Sequence, residues 1–373
     1  VKDKICIVVT ARASWARVQT VVENLRQSAQ IVFAGSAAVP RFSESAAHIP
    51  HINCKAGHHY MNLPAIEPQG THGATSYTAT LIQQLNTLWL SERPRKVVVI
   101  ADRYETLAVS IAAAYNGIPL VHLLGGERSG NIDDKVREAN TSLADVHCVA
   151  TRDAYRRLNA RPANWIYTTG CPSVDLALRA PVIDEHFDYG RGWDSAFNRT
   201  GVGARLEQNR PVIVGMYHPC AEDTFSMLEL LNETRDAARE MGAQVAWFWP
   251  NIDPGAEVLE KEIRAWLLDP PIRWRFYRHL PAENFLSLLK HSLLLVGNSS
   301  VGVREAGVIG IPVLNLGARQ RNRLETRNVR DDATPKAEHM LRIAEYPRFE
   351  PDFTYGDGTA GEKIAAILED RVP

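Results

Sequence analysis

The sequence predicts an α/β protein built from two Rossmann-like parallel-sheet domains facing a cleft, and three observations predict it. Short, continuous, β-branched apolar runs alternate with longer stretches of helical spacing, as in a parallel sheet covered on both faces. The alternation comes in two series separated by a polar stretch. The 373 residues suffice for about two domains at ~150 residues each.

In the first series, residues 5–10 form an apolar run, followed by helical spacing over 18–25 and a short strand at 31–33. Residues 96–100 are strongly β-branched. Leu107, Ile111, Ala114 and Tyr115 then recur at helical spacing, followed by a run at 119–123. Residues 133–143 read as a helix, and strands at 146–150 and 166–168 complete the set. From Arg179 to about Gln208 the periodicity fades into Gly- and Asp-containing sequence, read as linker and surface insertion. The second series has strands at 212–215, 245–249, 293–296 and 313–316, and helices at 225–241, 285–289 and 303–309. The expected division is 1–177, a linker 178–208, a second domain 209–350, and a tail 351–373. The helical spacing of 361–368 suits packing back on the first domain.

Composition excludes several classes. Lys and Arg number 42 against 43 Asp and Glu, a net charge of −1 with no long basic run, which argues against a nucleic-acid binder. No stretch approaches the ~18–20 uninterrupted apolar residues of a membrane span. The amino-terminal residues read as a strand and not as a signal peptide. Cys6, Cys54, Cys148, Cys171 and Cys220 are scattered without a CxxC pair, which fits a reducing cytoplasm and excludes a cysteine zinc site.

Polar clusters follow the predicted strands, at the carboxyl ends where doubly wound sheets bind ligands. Val296-Gly-Asn-Ser-Ser-Val-Gly-Val-Arg-Glu opens a helix. The free N–H groups of its first turn, with Ser299 and Ser300, suit a diphosphate, and Glu305 suits a ribose diol. Ordinary serine capping with a solvated Glu305 accounts for the same residues. Asp102-Arg103 follows the 96–100 run, where Asp102 suits a general acid or base and equally a cap of the next helix, roles that do not exclude each other. His122-Leu-Leu-Gly-Gly-Glu127-Arg-Ser-Gly-Asn-Ile-Asp133-Asp134 leaves its strand through a glycine-rich loop. It brings Glu127 and Asp133 six residues apart, with Arg137 one turn later; Arg103 and Arg137 are candidate substrate-binding residues. A polar loop with Asp133 as a cap is the bland alternative. Arg12 and Arg17 follow the first strand and suit phosphate, or a solvated face. His218, in Met-Tyr-His-Pro, can donate to phosphate or shuttle a proton, or be structural. Asn251 follows the 245–249 strand in Trp-Pro-Asn-Ile-Asp.

Four of these segments together resemble the UDP-N-acetylglucosamine 2-epimerase family. They are Ala101-Asp-Arg-Tyr-Glu-Thr-Leu, Gly125-Gly-Glu-Arg-Ser-Gly-Asn-Ile-Asp-Asp, Trp249-Pro-Asn-Ile-Asp and Gly297-Asn-Ser-Ser-Val-Gly-Val-Arg-Glu. The likeness runs from residue 4 to about 329 and is greatest to the hydrolysing branch, which feeds sialic acid and related nonulosonate pathways. It implies a GT-B-like fold with UDP held mainly by the second domain, and a UDP-linked 2-acetamido sugar as substrate. It implies neither metal nor cofactor, and a homodimer or homotetramer. The implied reaction removes the C2 proton, expels UDP, and adds water at C1 while C2 is reprotonated on the other face, giving ManNAc. Asp102 and Asp133 match acid/base carboxylates, and His218 a histidine beside the diphosphate. Ser299, Ser300 and Glu305 match the UDP-binding set, Arg12 the family's first-loop arginine, Arg319 a cleft arginine near the nucleotide, and Asn251 and Leu280 nucleotide contacts. One position departs. Leu124 stands where the family usually has a catalytic Glu, two residues after the strand histidine; Glu127 is a possible substitute. A glycosyltransferase or a non-inverting hydrolase of the same fold is therefore the competing reading, and a nucleotide-sugar sensor a third.

Overall fold

A computed structural model describes residues 4–39, 57–64, 70–130, 132–160, 165–183, 192–250, 255–268 and 273–370. The chain divides into two compact units, Val1–Asp175 with Tyr355–Pro373, and Leu176–Thr354.

The described residues of the first unit form a sheet of β1 (Ile5–Val9), β2 (Ala29–Phe33), β3 (His59–Asn62), β4 (Lys96–Ile100), β5 (Leu120–Leu123), β6 (Val146–Val149) and β7 (Trp165–Thr168). The order is β3-β2-β1-β4-β5-β6-β7 and every pairing is parallel. β1, β4 and β5 are wholly buried, which is why they read as unbroken apolar runs instead of alternating ones. Strand order reverses between β1 and β4, so the loops after these two strands flank the switch point.

The helix Ala360–Glu369 belongs to this first unit. Asp175 accepts from the N–H groups of Ala360 (3.1 Å) and Gly361 (2.7 Å) and from Thr20 Oγ1 (3.0 Å), capping the helix start. At the other end, Lys96 Nζ donates to the Asp370 carbonyl (2.7 Å) and Arg95 to that of Leu368 (3.2 Å). A Cβ on Gly361 would lie 2.4 Å from Thr20 Oγ1, so the helix approaches its neighbour closely only because this residue is glycine.

The second unit's sheet comprises β8 (Val202–Gly203), β9 (Val212–Met216), β10 (Gln244–Phe248), β11 (Trp274–Tyr277), β12 (Leu294–Gly297), β13 (Val313–Leu316) and β14 (Val329–Asp332). Its order is β14-β13-β12-β9-β10-β11-β8, parallel except for the antiparallel edge strand β8. The switch point falls between β9 and β12.

The stretch 178–208 was expected to be linker and surface insertion, and here the structure differs. Trp193, Ala196, Phe197 and Leu206 are buried in the second unit's core. Arg275 of β11, itself buried, donates to the carbonyls of Asn198 (2.9 Å) and Thr200 (2.6 Å) and so anchors the segment before β8. Two aromatic anchors and one arginine fix a stretch too short of apolar residues to show any periodicity.

Candidate functional site

Within the first unit, the ends of β4 and β5 carry the ionisable cluster. Asp102 follows Ala101, whose φ is 62°, a left-handed backbone unusual for any residue but glycine. The Ala101 carbonyl accepts from His122 Nε2 (2.9 Å) and Asn140 Nδ2 (3.3 Å). Asn140 also donates to Thr106 Oγ1 (2.7 Å) and accepts from Ser110 (2.8 Å). Burial pushes the His122 pKa down to about 4, so the ring is neutral, with its proton on the nitrogen facing the carbonyl. Its Nδ1 then accepts from the Thr141 hydroxyl (3.2 Å). This buried network holds the strained turn that aims Asp102.

Asp102 is buried and paired with Arg137. Arg137 also pairs with Asp134 and donates to the Glu127 carbonyl (2.9 Å) and Ser129 Oγ (3.4 Å). Burial alone would lower the Arg137 pKa; the charges of Asp102 and Glu127 outweigh it and raise it. The sequence reading gave Arg137 to the substrate, but its guanidinium is enclosed by carboxylates. Asp134, which that reading passed over, accepts from the N–H groups of Ser129 and Gly130 (2.8 Å each) and from Ser129 Oγ (2.8 Å). Burial works to raise its pKa, but these donors and Arg137 bring it below the usual carboxylate range. The Asp-Asp pair at the helix start was the available signal.

Neither Asp102 nor Asp133 is a helix cap. The helix Tyr104–Tyr115 is preceded by Arg103, and Asp133 is itself the first residue of Asp133–Leu143, half-buried. Glu127 is buried. Arg103 is ion-paired with the fully buried Glu105 (3.2 Å), beside Gly35 and Thr10 of the neighbouring strand ends. Leu124 is buried with φ 65°, its N–H donating to the Cys148 carbonyl (2.8 Å). Arg12 begins the short helix Arg12–Ala16 and half-buried Arg17 ends it; the Arg12 side chain lies outside the described residues, as does Asn251.

Within the second unit, the loops after β9, β12 and β13 converge on Asn298, which is fully buried. Its amide donates to the His218 carbonyl and accepts from the His218 N–H, both at 2.8 Å. Its main-chain carbonyl accepts from Arg319 Nη1 (3.2 Å) and Gln320 Nε2 (2.9 Å). Gly297 allows this approach: at φ 136°, a Cβ would lie 2.0 Å from the Met216 carbonyl oxygen. Asp223 joins the outer loops, accepting from Tyr217 Oη (2.6 Å) and the Ala318 N–H (2.8 Å).

The helix after β12 starts later than predicted. It spans Glu305–Ile309, and residues 300–304 form turns in which the Gly302 and Arg304 N–H groups are taken by the Ser299 and Ser300 carbonyls. β-branched Val301 and Val303 around Gly302 disfavour an earlier start. Glu305 therefore stands at the first helical position. It is buried, and its Oε2 has no hydrogen-bond partner among the described residues, an acceptor suited to a ribose hydroxyl. Ser299 is buried, with its Oγ 3.4 Å from the Val301 nitrogen, and Ser300 is half-buried. The Leu280 side chain lies in the core with Phe248 and Tyr277, so it is not itself a polar contact for a nucleotide.

A sequence profile described as UDP-N-acetylglucosamine 2-epimerase matches residues 20–369. The chain belongs to the UDP-N-acetylglucosamine 2-epimerase family. Relatives in that family include the UDP-N,N'-diacetylbacillosamine 2-epimerase (hydrolyzing) of Legionella pneumophila, 32% identical over 285 residues that cover 75% of this chain and 72% of the relative. The UDP-N-acetylglucosamine 2-epimerase of Neisseria meningitidis is 27% identical over 83% of this chain and 80% of the relative. A solved structure of the Neisseria meningitidis enzyme, bound to UDP-GlcNAc, matches with TM-score 0.76 at 18% identity, covering 99% of each chain, a likeness of fold. The protein is thus an enzyme of the UDP-sugar 2-epimerase type with a GT-B-like α/β fold. Among the described residues, no helix is long and apolar enough to cross a membrane.

Proposed function

We propose that this family member is a hydrolysing UDP-sugar 2-epimerase. It takes a UDP-linked 2-acetamido sugar and water to UDP and the free sugar inverted at C2, ManNAc if the substrate is UDP-GlcNAc. The C2 proton leaves to a carboxylate and the C1–O bond to UDP breaks, giving a 2-acetamidoglucal. Water then adds its oxygen at C1 while a proton is delivered to C2 on the opposite face. Asp102 and Asp133 serve as acid and base, with Glu127 as the third carboxylate. His218 and Arg319 donate to the departing diphosphate, and Ser299, Ser300 and Glu305 hold the nucleotide. The observation that carries this reading is the Asp102–Arg137–Asp134 cluster, with Asp102 and Arg137 buried, at the switch-point side of the first sheet, in a chain related to enzymes named as hydrolysing.

One observation favours a second reading. Leu124 offers no proton-transfer group, and without it the UDP-sugar would be hydrolysed with C2 untouched. Incubation with UDP-GlcNAc, and separately with UDP-N,N'-diacetylbacillosamine, in D2O decides between them by NMR. Deuterium at C2 of an inverted free sugar supports epimerisation. Release of UDP with a protonated, uninverted sugar supports hydrolysis, and absence of turnover with both refutes the proposal.

A further inference from the structure

From the convergence of three loops on one buried side chain, we infer that Asn298 is the positioning residue of the diphosphate site, holding His218 and Arg319 in a single arrangement. The inference rests on the proposed nucleotide role of the second unit. β9 and β12 are neighbours across the switch point, so the residues just after them, His218 and Asn298, lie side by side although 80 positions apart. The Asn298 amide satisfies both backbone groups of His218 with one donor and one acceptor, a pairing no other uncharged side chain of this length provides. The same residue's main-chain carbonyl accepts from Arg319 and Gln320 of the loop after β13, an arm that side-chain substitution of Asn298 leaves in place. Asn298 thus bonds to both candidate diphosphate ligands, and it is too buried to meet the nucleotide itself.

An amide needed as donor and acceptor together makes a specific prediction. Asn298→Asp keeps the acceptor for the His218 N–H, but its carboxylate faces the His218 carbonyl with no proton to give. Protonation restores that donor, and burial brings the protonation into an accessible pH range. UDP titrated calorimetrically into wild type and variants from pH 5.5 to 8 provides the test. At pH 8, Asn298→Asp binds UDP about 10–100-fold more weakly than wild type, the loss of one buried hydrogen bond with its partner left unsatisfied. The ratio to wild type narrows as pH falls, whereas for Asn298→Ala it stays wide throughout. A Gln320→Met variant, which leaves both His218 bonds intact, tests the carbonyl arm and should weaken UDP severalfold even if Asn298→Ala does not fold. UDP affinity unchanged in the folded variants, or an Asn298→Asp ratio that does not vary with pH, overturns the positioning role. Failure of the wild type to bind UDP overturns the nucleotide assignment beneath it.

Discussion

Arg137→Met removes the cation between Asp102 and Asp134 and keeps most of the side-chain volume. Removing one partner of a buried pair typically costs about 3–5 kcal/mol. Here the two carboxylates are 11% and 25% exposed, so Asp134 rehydrates in part and Asp102 bears most of the penalty. A stranded carboxylate can also escape by binding a proton, which caps its cost at ~1.4 kcal/mol per pH unit above its unfolded pKa of ~3.9. The cap is about 4 kcal/mol at pH 7 and about 1.5 kcal/mol at pH 5. The variant's folded state binds more protons than its unfolded state, so its deficit grows with pH and shrinks on acidification. Denaturant unfolding of wild type and variant at pH 5 and 7 measures this difference. Neutral His122, whose depressed pKa lowers stability below about pH 6.5, is pushed down mainly by burial and in part by the Arg137 charge, so its penalty eases in the variant and narrows the deficit further on acidification. At neutral pH the first unit should melt roughly 10 °C lower, at ~2–4 °C per kcal/mol. Equal deficits at both pH values, or one below about 1 kcal/mol at pH 7, would refute Arg137 as the cation that offsets the Asp102 and Asp134 carboxylates.

Asp102→Asn and Asp133→Asn should each lower turnover by about 10²–10⁴-fold while leaving calorimetric UDP affinity near wild type; near wild-type rates in both would exclude the elimination mechanism. The double variant Ser300→Ala, Glu305→Ala should lose at least severalfold in UDP affinity, with each buried charge-assisted bond worth about 1.5–3 kcal/mol. If Glu127 supplies the proton transfer that Leu124 cannot, Glu127→Gln should abolish C2–deuterium exchange and Leu124→Glu should not raise it. Rapid inversion unaffected by Glu127→Gln would remove Glu127 from the mechanism.

Strands buried on both faces were legible because burial leaves them wholly apolar: β1, β4, β5, β12 and β13 lie within a residue of the runs read from sequence. Edge strands β3 and β14 carry polar residues and show no such run. β11 was hidden by Arg275, whose charge is satisfied by carbonyls that no local pattern reveals. The same limit explains the site. Asp102 and His218 announce themselves by following an apolar run, but Asn298 matters because β9 and β12 are adjacent, and strand order is not written in periodicity. Arg137 looked available for a substrate because Asp102 stands 35 positions before it.

The return of Ala360–Glu369 to the first sheet has a consequence during synthesis. Asp175, Lys96 and Arg95 leave the ribosome before the helix they grip. The contiguous second unit is made in between, a wait of about 10–40 s at ~5–20 residues per second. Until then the pocket that receives the helix is open, with Lys96 and Asp175 lacking the partners that justify their burial. The unit that carries the proposed acid/base carboxylates is therefore the last to close, and the unit proposed to hold the nucleotide can be complete while it still waits.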